Sequence, residues 1–158
     1  MKRAFRATPY PSIQLRQIVW RFRDVEELPV GFDRSQPVTS PEAMRRYSFL
    51  FDGYTTERFV VFILNSKNVV QGVEIVSEGT LNASLVHPRE VFRSAVLGLG
   101  ASIIVAHNHP SGNPEPSRED ITITKQLVEA GKILGIPVHD HIIFTENSYT
   151  SFADRGLL

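Results

Sequence analysis

The chain has 158 residues, of which 42% are hydrophobic and 22% charged, and its 17 basic and 17 acidic residues cancel to a formal net charge of zero. This composition excludes a disordered or fibrous chain and predicts one folded domain with a core of its own. Because cysteine is absent, disulfides, thiolate zinc sites and cysteine nucleophiles are excluded. A metal ion would have to be held by histidine and carboxylate side chains.

Residues 1–35 are interpreted as an N-terminal extension that precedes a domain spanning residues 36–158. The extension includes a candidate extended segment around Ile13 to Phe22. It also holds every basic residue that precedes the first acidic one, Asp24: Lys2, Arg3, Arg6, Arg16, Arg21 and Arg23. A basic arm of this kind can contact nucleic-acid phosphates, although a solvated terminus without a partner is the favoured alternative.

No membrane association is predicted. The longest apolar runs, such as 59–64, are far shorter than the roughly 20 residues that span a bilayer. The N-terminus lacks the apolar stretch of a secretory signal, so the cytoplasm is the expected compartment.

The first predicted element of the domain is a helix that begins after Ser40, its N-cap, with Pro41 in the first turn, and runs to Gly53. The apolar, β-rich run 57–64 and the following segment 69–77 are separated by turn residues and predict a hairpin with one buried central strand.

Hydrophobic periodicity downstream predicts helices and strands in alternation. They are a helix from Pro88 with Gly100 as its C-cap, a strand over 102–107, a helix from Ser117 to Leu134, a strand over 138–145 and a short ending at 148–152. The order is typical of a mixed α/β sandwich. The proline-rich loop 108–116, between the strand over 102–107 and the helix from Ser117, is the kind of segment that carries chemistry.

His107 and His109 flank one residue at the end of a buried strand, and alternation along the strand lets both rings project to the same side. Asp120 lies in the first turn of the next helix, where the loop can fold it back toward them. Two histidines and one carboxylate predict a catalytic zinc site, one ion per chain, in which a fourth position is left for water.

Activation of that water needs a nearby carboxylate that is not a ligand, and Glu57 is our choice because it stands at the mouth of an apolar strand. Glu74, Glu78 and Glu90 are the alternatives. The histidines could also be buried rings that satisfy backbone groups. Asp120, three residues after Ser117, also fits a helix capping box.

A resemblance favours the metal site. His107-Asn-His109-Pro110, followed by Pro116-Ser117 and Asp120, resembles the JAMM motif of MPN-type metalloproteases. The stretches 86–92, 106–112, 116–120 and 140–143 resemble the RadC family of JAMM proteins. The resemblance covers roughly residues 36–158.

The resemblance implies a cytidine-deaminase-like three-layer α/β sandwich with a mixed central sheet, and zinc ligands His107, His109 and Asp120. It also implies that Glu57 is the upstream acid and that Ser117 steadies the water or the tetrahedral intermediate. Deamination itself is excluded, because its signature needs cysteine ligands.

The chain departs from the family pattern in two places. The first 35 residues cannot hold the helix-hairpin-helix module that RadC proteins typically carry, so a direct role in DNA repair is not expected. His139 is an extra histidine beside Asp140-His141. We expect His139 to be incidental and His141 to orient a ligand from behind, and we expect His87 to be structural.

The predicted function is zinc-dependent hydrolysis of amide bonds, peptide or isopeptide, in a protein or peptide substrate. The alternatives are a DNA-repair-associated nucleic-acid-binding accessory protein with a structural or vestigial zinc site, and an interaction module without metal. Intact ligands argue against the latter.

Overall fold

The computed structural model describes residues 28–79 and 86–158, in which five strands form one mixed sheet of order β2-β1-β3-β4-β5. The strands are β1 Glu57–Leu64, β2 Val70–Gly79, β3 Ser102–Asn108, β4 Val138–Phe144 and β5 Tyr149–Ser151. β3 pairs in parallel with β4, and the other pairs are antiparallel. The predicted hairpin of β1 and β2 is confirmed.

Helical elements cover both faces of the sheet. Helices α1, Pro88–Leu97, and α2, Arg118–Leu134, pack on one face, and a 3₁₀ helix, Pro41–Leu50, packs on the other. β1 is buried on both faces because it lies at the centre of these layers. Its odd-numbered residues join the α1 and α2 cluster and its even-numbered residues join the 3₁₀ cluster. The predicted three-layer α/β sandwich is therefore confirmed.

The first predicted helix differs from the structure in type and length. The Ser40 side chain caps it by accepting a hydrogen bond from the Ala43 amide at 3.3 Å, as predicted. The element is a 3₁₀ helix, however, and it ends at Leu50 rather than Gly53. Its fully buried members, Met44 and Tyr47, are three residues apart, which is one turn of a 3₁₀ helix.

The prediction that Gly100 caps α1 is wrong, because the helix ends at Leu97 with Gly98 as its C-cap. Leu99 takes the left-handed conformation, with φ 52°. The reason for glycine at position 100 is a close approach: a Cβ there would lie 2.6 Å from Cγ2 of Ile63. Gly100 therefore lets the chain pass directly over β1.

The part of the predicted extension that the structure describes contacts the domain. The ring of Phe32 packs edge-on against Tyr47 and Phe49, with centroid distances of 5.3 and 5.6 Å. The six arginine and lysine residues of the basic arm and the candidate extended segment lie outside the described residues. Among helices within 28–79 and 86–158, none has the length and apolar character needed to cross a membrane.

Candidate metal centre

Two histidine rings meet at the end of the central strand β3. His107 lies within β3, fully buried, and His109 follows directly after it, with its amide donating to the Phe144 carbonyl of β4 at 2.8 Å. That bond extends the strand direction, so both rings project to the same side as predicted from alternation. Their Nε2 atoms are 2.9 Å apart.

Asp120 completes the group from the first turn of α2. Ser117 is the N-cap of this helix, and its Oγ accepts from the Asp120 amide while the Asp120 carboxylate accepts from the Ser117 amide. This capping box fixes the carboxylate. Oδ1 of Asp120 lies 3.3 Å from Nε2 of His107, and Oδ2 lies 3.5 Å from Nε2 of His109. The capping and the ligand interpretations of Asp120 are thus compatible.

Electrostatics at this point favour a positive charge. Burial alone would raise the pKa of the Asp120 carboxyl, but the adjacent imidazoles of His107 and His109 hold that pKa well below its usual range. The pKa of His109 is raised, chiefly by its hydrogen bond to Asp120. The three side chains present ligand atoms within 4.8 Å of one another and can hold a metal ion.

Each histidine ring is also held from behind. Nδ1 of His109 lies 2.7 Å from the Asn113 carbonyl. Nδ1 of His107 lies 2.8 Å from Nε2 of His141, so the structure places His141 where a ligand-orienting group is expected. Nδ1 of His141 in turn lies 2.6 Å from Oγ1 of Thr124. Neither Asn113 nor Thr124 was predicted from sequence to belong to the site.

His141 is completely buried. The ring of Phe152 stacks on it at 4.5 Å and Phe59 meets it edge-on at 5.5 Å. Burial, followed by repulsion from His107, lowers the pKa of His141 well below its ordinary value. The neutral form that burial favours carries one N–H, so it donates through one ring nitrogen and accepts through the other.

Glu57, the predicted general base, begins β1 and is half-buried. The antiparallel register pairs Phe59 with His107, and continuing it by two residues places Glu57 opposite His109 on the same face of the sheet. The charge of Glu57 contributes to the raised pKa of His109, so the structure brings Glu57 to the group.

The alternative glutamates are all paired with arginines. Arg93 lies 3.1 Å from Glu74 and 3.0 Å from Glu90, and Arg58 lies 3.1 Å from Glu78. Of the remaining histidines, His87 caps α1 by accepting from the Arg89 amide, and His139 is exposed.

Asn108, between the two histidines, faces the opposite side of the sheet and clamps the start of β1. Its Oδ1 accepts from the buried Arg58 amide at 2.8 Å, and its Nδ2 donates to the Thr56 carbonyl at 3.1 Å. These two bonds hold the backbone on either side of Glu57. Asn108 thereby ties the backbone that carries Glu57 to the strand end that carries the two histidines.

We expect Asn108→Ala to lower the free energy of unfolding by roughly 1–3 kcal/mol, since the buried Arg58 amide is left without an acceptor. Chemical denaturation measures the change. Asn147→Ala, in the exposed turn before β5, is the matched control and should leave stability unchanged. Equal stability of the two variants would contradict the clamp.

An α/β sandwich with a mixed five-stranded sheet and a His-His-Asp group at the end of its central strand defines the class as a JAB (MPN) domain. Residues 38–157 match the family described as RadC-like JAB domain. The chain belongs to the RadC family, as the resemblance predicted.

Similar curated proteins support this membership. The UPF0758 protein STH371 of Symbiobacterium thermophilum is 59% identical over 102 residues, which are 65% of this chain and 44% of that protein. The UPF0758 protein of Salinibacter ruber is 50% identical over 127 residues, 80% of this chain and 54% of that protein. The chain spans about half the length of these relatives, and their names state no activity.

Proposed function

We propose that this protein is a zinc-dependent hydrolase of amide bonds, peptide or isopeptide, that acts on a protein or peptide substrate through a metal-activated water. The observation that carries the proposal is the convergence of His107, His109 and Asp120 within 4.8 Å at the end of β3.

The donor set fits zinc. Two imidazole nitrogens and one carboxylate are a set of three protein ligands typical of catalytic zinc. The two imidazole Nε2 atoms lie 2.9 Å apart, Oδ1 of Asp120 lies 3.3 Å from that of His107, and Oδ2 of Asp120 lies 3.5 Å from that of His109. When bound, zinc supplies Lewis-acid polarisation of the carbonyl and activation of water.

Glu57 is the proposed general base. It faces the same side of the sheet as the two histidines, and the Asn108 clamp keeps its backbone in place. In this role Glu57 accepts the proton of the attacking water and delivers it to the departing amine.

Ser117 is the proposed donor to the developing oxyanion. Its hydroxyl donates to Oδ2 of Asp120 at 2.6 Å, and the residue is exposed at the helix start. To act on substrate, the hydroxyl proton must turn from the carboxylate toward the substrate, which rotation about the Cβ–Oγ bond allows while Oγ stays in place as the cap.

The test combines metal analysis of the purified protein with a cleavage screen on peptide and isopeptide libraries. We expect zinc to exceed iron and manganese, and we expect cleavage that a chelator abolishes and added zinc restores. Cleavage that is insensitive to chelation, or a different metal at full occupancy, would overturn the proposal.

Chelation should not unfold the protein. A domain of this size has a core of its own, unlike small zinc fingers that fold only with metal, and both faces of its sheet are covered by apolar clusters. Circular dichroism before and after chelation measures this expectation. Loss of the folded signal on removal of zinc would show that the ion is structural.

A further inference from the structure

We propose that Thr124 is a positioning residue that acts through His141 to fix the tautomer of His107, so that Nε2 of His107 presents its lone pair to the metal site. The inference rests on the proposed function, because the lone pair matters only if a cation binds there. The inference is argued from a series of hydrogen bonds in which each donor and acceptor is defined. That observation is separate from the convergence of the proposed ligands.

This series of hydrogen bonds begins at the backbone carbonyl of Asp120. Oγ1 of Thr124 lies 2.6 Å from the Asp120 carbonyl, one helical turn earlier. A carbonyl oxygen only accepts hydrogen bonds, so the single hydroxyl proton of Thr124 is committed to it. What Oγ1 offers to any other neighbour is a lone pair.

The bond to Thr124 then determines which nitrogen of His141 donates and which accepts. Its Nδ1 lies 2.6 Å from the Thr124 oxygen and must therefore carry the proton of that bond. A neutral imidazole has one N–H, which leaves Nε2 of His141 as an acceptor. Nδ1 of His107, 2.8 Å away, is then the donor, and Nε2 of His107 is left without a proton, facing Asp120 and His109.

Thr124 is needed because either ring could be the donor in the hydrogen bond between His107 and His141. Metal-binding histidines usually donate their second N–H to a carboxylate, a carbonyl or a water. For His109 the acceptor is the Asn113 carbonyl. The partner of His107 is another imidazole, which could donate as readily as accept. Among the residues that the structure describes, the hydroxyl of Thr124, oriented by the Asp120 carbonyl, is the group that decides between these arrangements.

Burial prevents water from replacing a member of this series of hydrogen bonds. Thr124, His141 and His107 each have 0% of their surface exposed. With Phe59 and Phe152 packed on His141, solvent water has no access from which to replace the hydroxyl.

The test compares Thr124→Val, which keeps the shape and removes the hydroxyl, with Thr124→Ser, which keeps the hydroxyl. Thr122→Val is the matched control, because Thr122 makes the same bond to a carbonyl four residues earlier, Arg118 at 2.8 Å, on the exposed side of α2. Zinc affinity is measured by competition with a chromophoric chelator. We expect Thr124→Val to bind zinc roughly 10- to 100-fold more weakly, with near-normal affinity in Thr124→Ser and Thr122→Val.

A second measurement needs neither zinc nor a variant at position 124. Nitrogen-15 NMR of the metal-free wild-type protein, with rings assigned through single histidine variants, should show His107 and His141 both protonated on Nδ1. Protonation of His107 on Nε2, or unchanged zinc affinity in Thr124→Val, would overturn the proposed role of Thr124. A wild-type protein that shows these tautomers but binds no zinc would overturn the proposed function and leave the role of Thr124 in fixing the tautomer intact.

Discussion

We expect about one zinc ion per chain in the wild type and loss of zinc in Asp120→Ala protein, because two histidines alone are too few strong ligands to hold the ion. His109→Ala should behave in the same way, since it removes one of the two imidazole nitrogens. Elemental analysis of dialysed protein measures both.

Loss of the carboxylate also removes half of the capping box of α2, which costs about 1 kcal/mol of stability. A thermal melt must therefore show that the variant is folded. Glu119→Ala is the control, because Glu119 is an exposed carboxylate in the same helical turn and should keep its zinc. Full zinc in both Asp120→Ala and His109→Ala would end the ligand assignment.

The second large effect is expected for Glu57→Gln, which keeps the shape of the side chain but cannot accept a proton. We expect zinc content and fold to stay normal while turnover on a cleavable substrate falls by roughly 10²-fold or more, the usual contribution of proton transfer. Zinc and turnover should be measured on the same preparation, because zinc loss would mean that Glu57 is a ligand or supports one.

Glu78→Gln is the comparison for that experiment. Glu78 lies on the neighbouring strand β2 and pairs with Arg58, so its substitution tests the effect of removing a nearby charge without removing the proposed base. We expect turnover within a few-fold of wild type. Full activity in zinc-loaded Glu57→Gln would refute the assignment and bring Glu74, Glu78 and Glu90 forward.

The two inner strands β1 and β3 were predictable from sequence because each is a largely apolar, buried run. β1 has the predicted bounds, 57–64, since residues buried on both faces leave no ambiguity about where the run begins and ends. The ligand geometry was predictable for a related reason. Alternation along β3 and the capping signal at Ser117 each depend on local spacing.

What the sequence could not supply depends on tertiary contact. An i to i+3 apolar spacing fits α- and 3₁₀ helices alike, so the type of helix at Met44 and Tyr47 was undetermined. Gly100 looked like a cap because nothing local reveals the approach to Ile63. Asn113 acts through its backbone carbonyl, which no side-chain pattern marks. Thr124 left one signal, its position one turn after Asp120.

The clamp made by Asn108 has a consequence for transplanting this site into another protein. Successive strand residues face opposite sides of the sheet. The rings of His107 and His109 therefore lie on one side, and the side-chain amide of Asn108, which binds the backbone of Thr56 and Arg58, lies on the other. Copying only the three ligands onto a foreign sheet would leave the carboxylate of the adjacent strand unanchored. The smallest transferable unit is therefore the pair of neighbouring strand ends with their connecting amide, together with the first turn of α2 that carries Asp120.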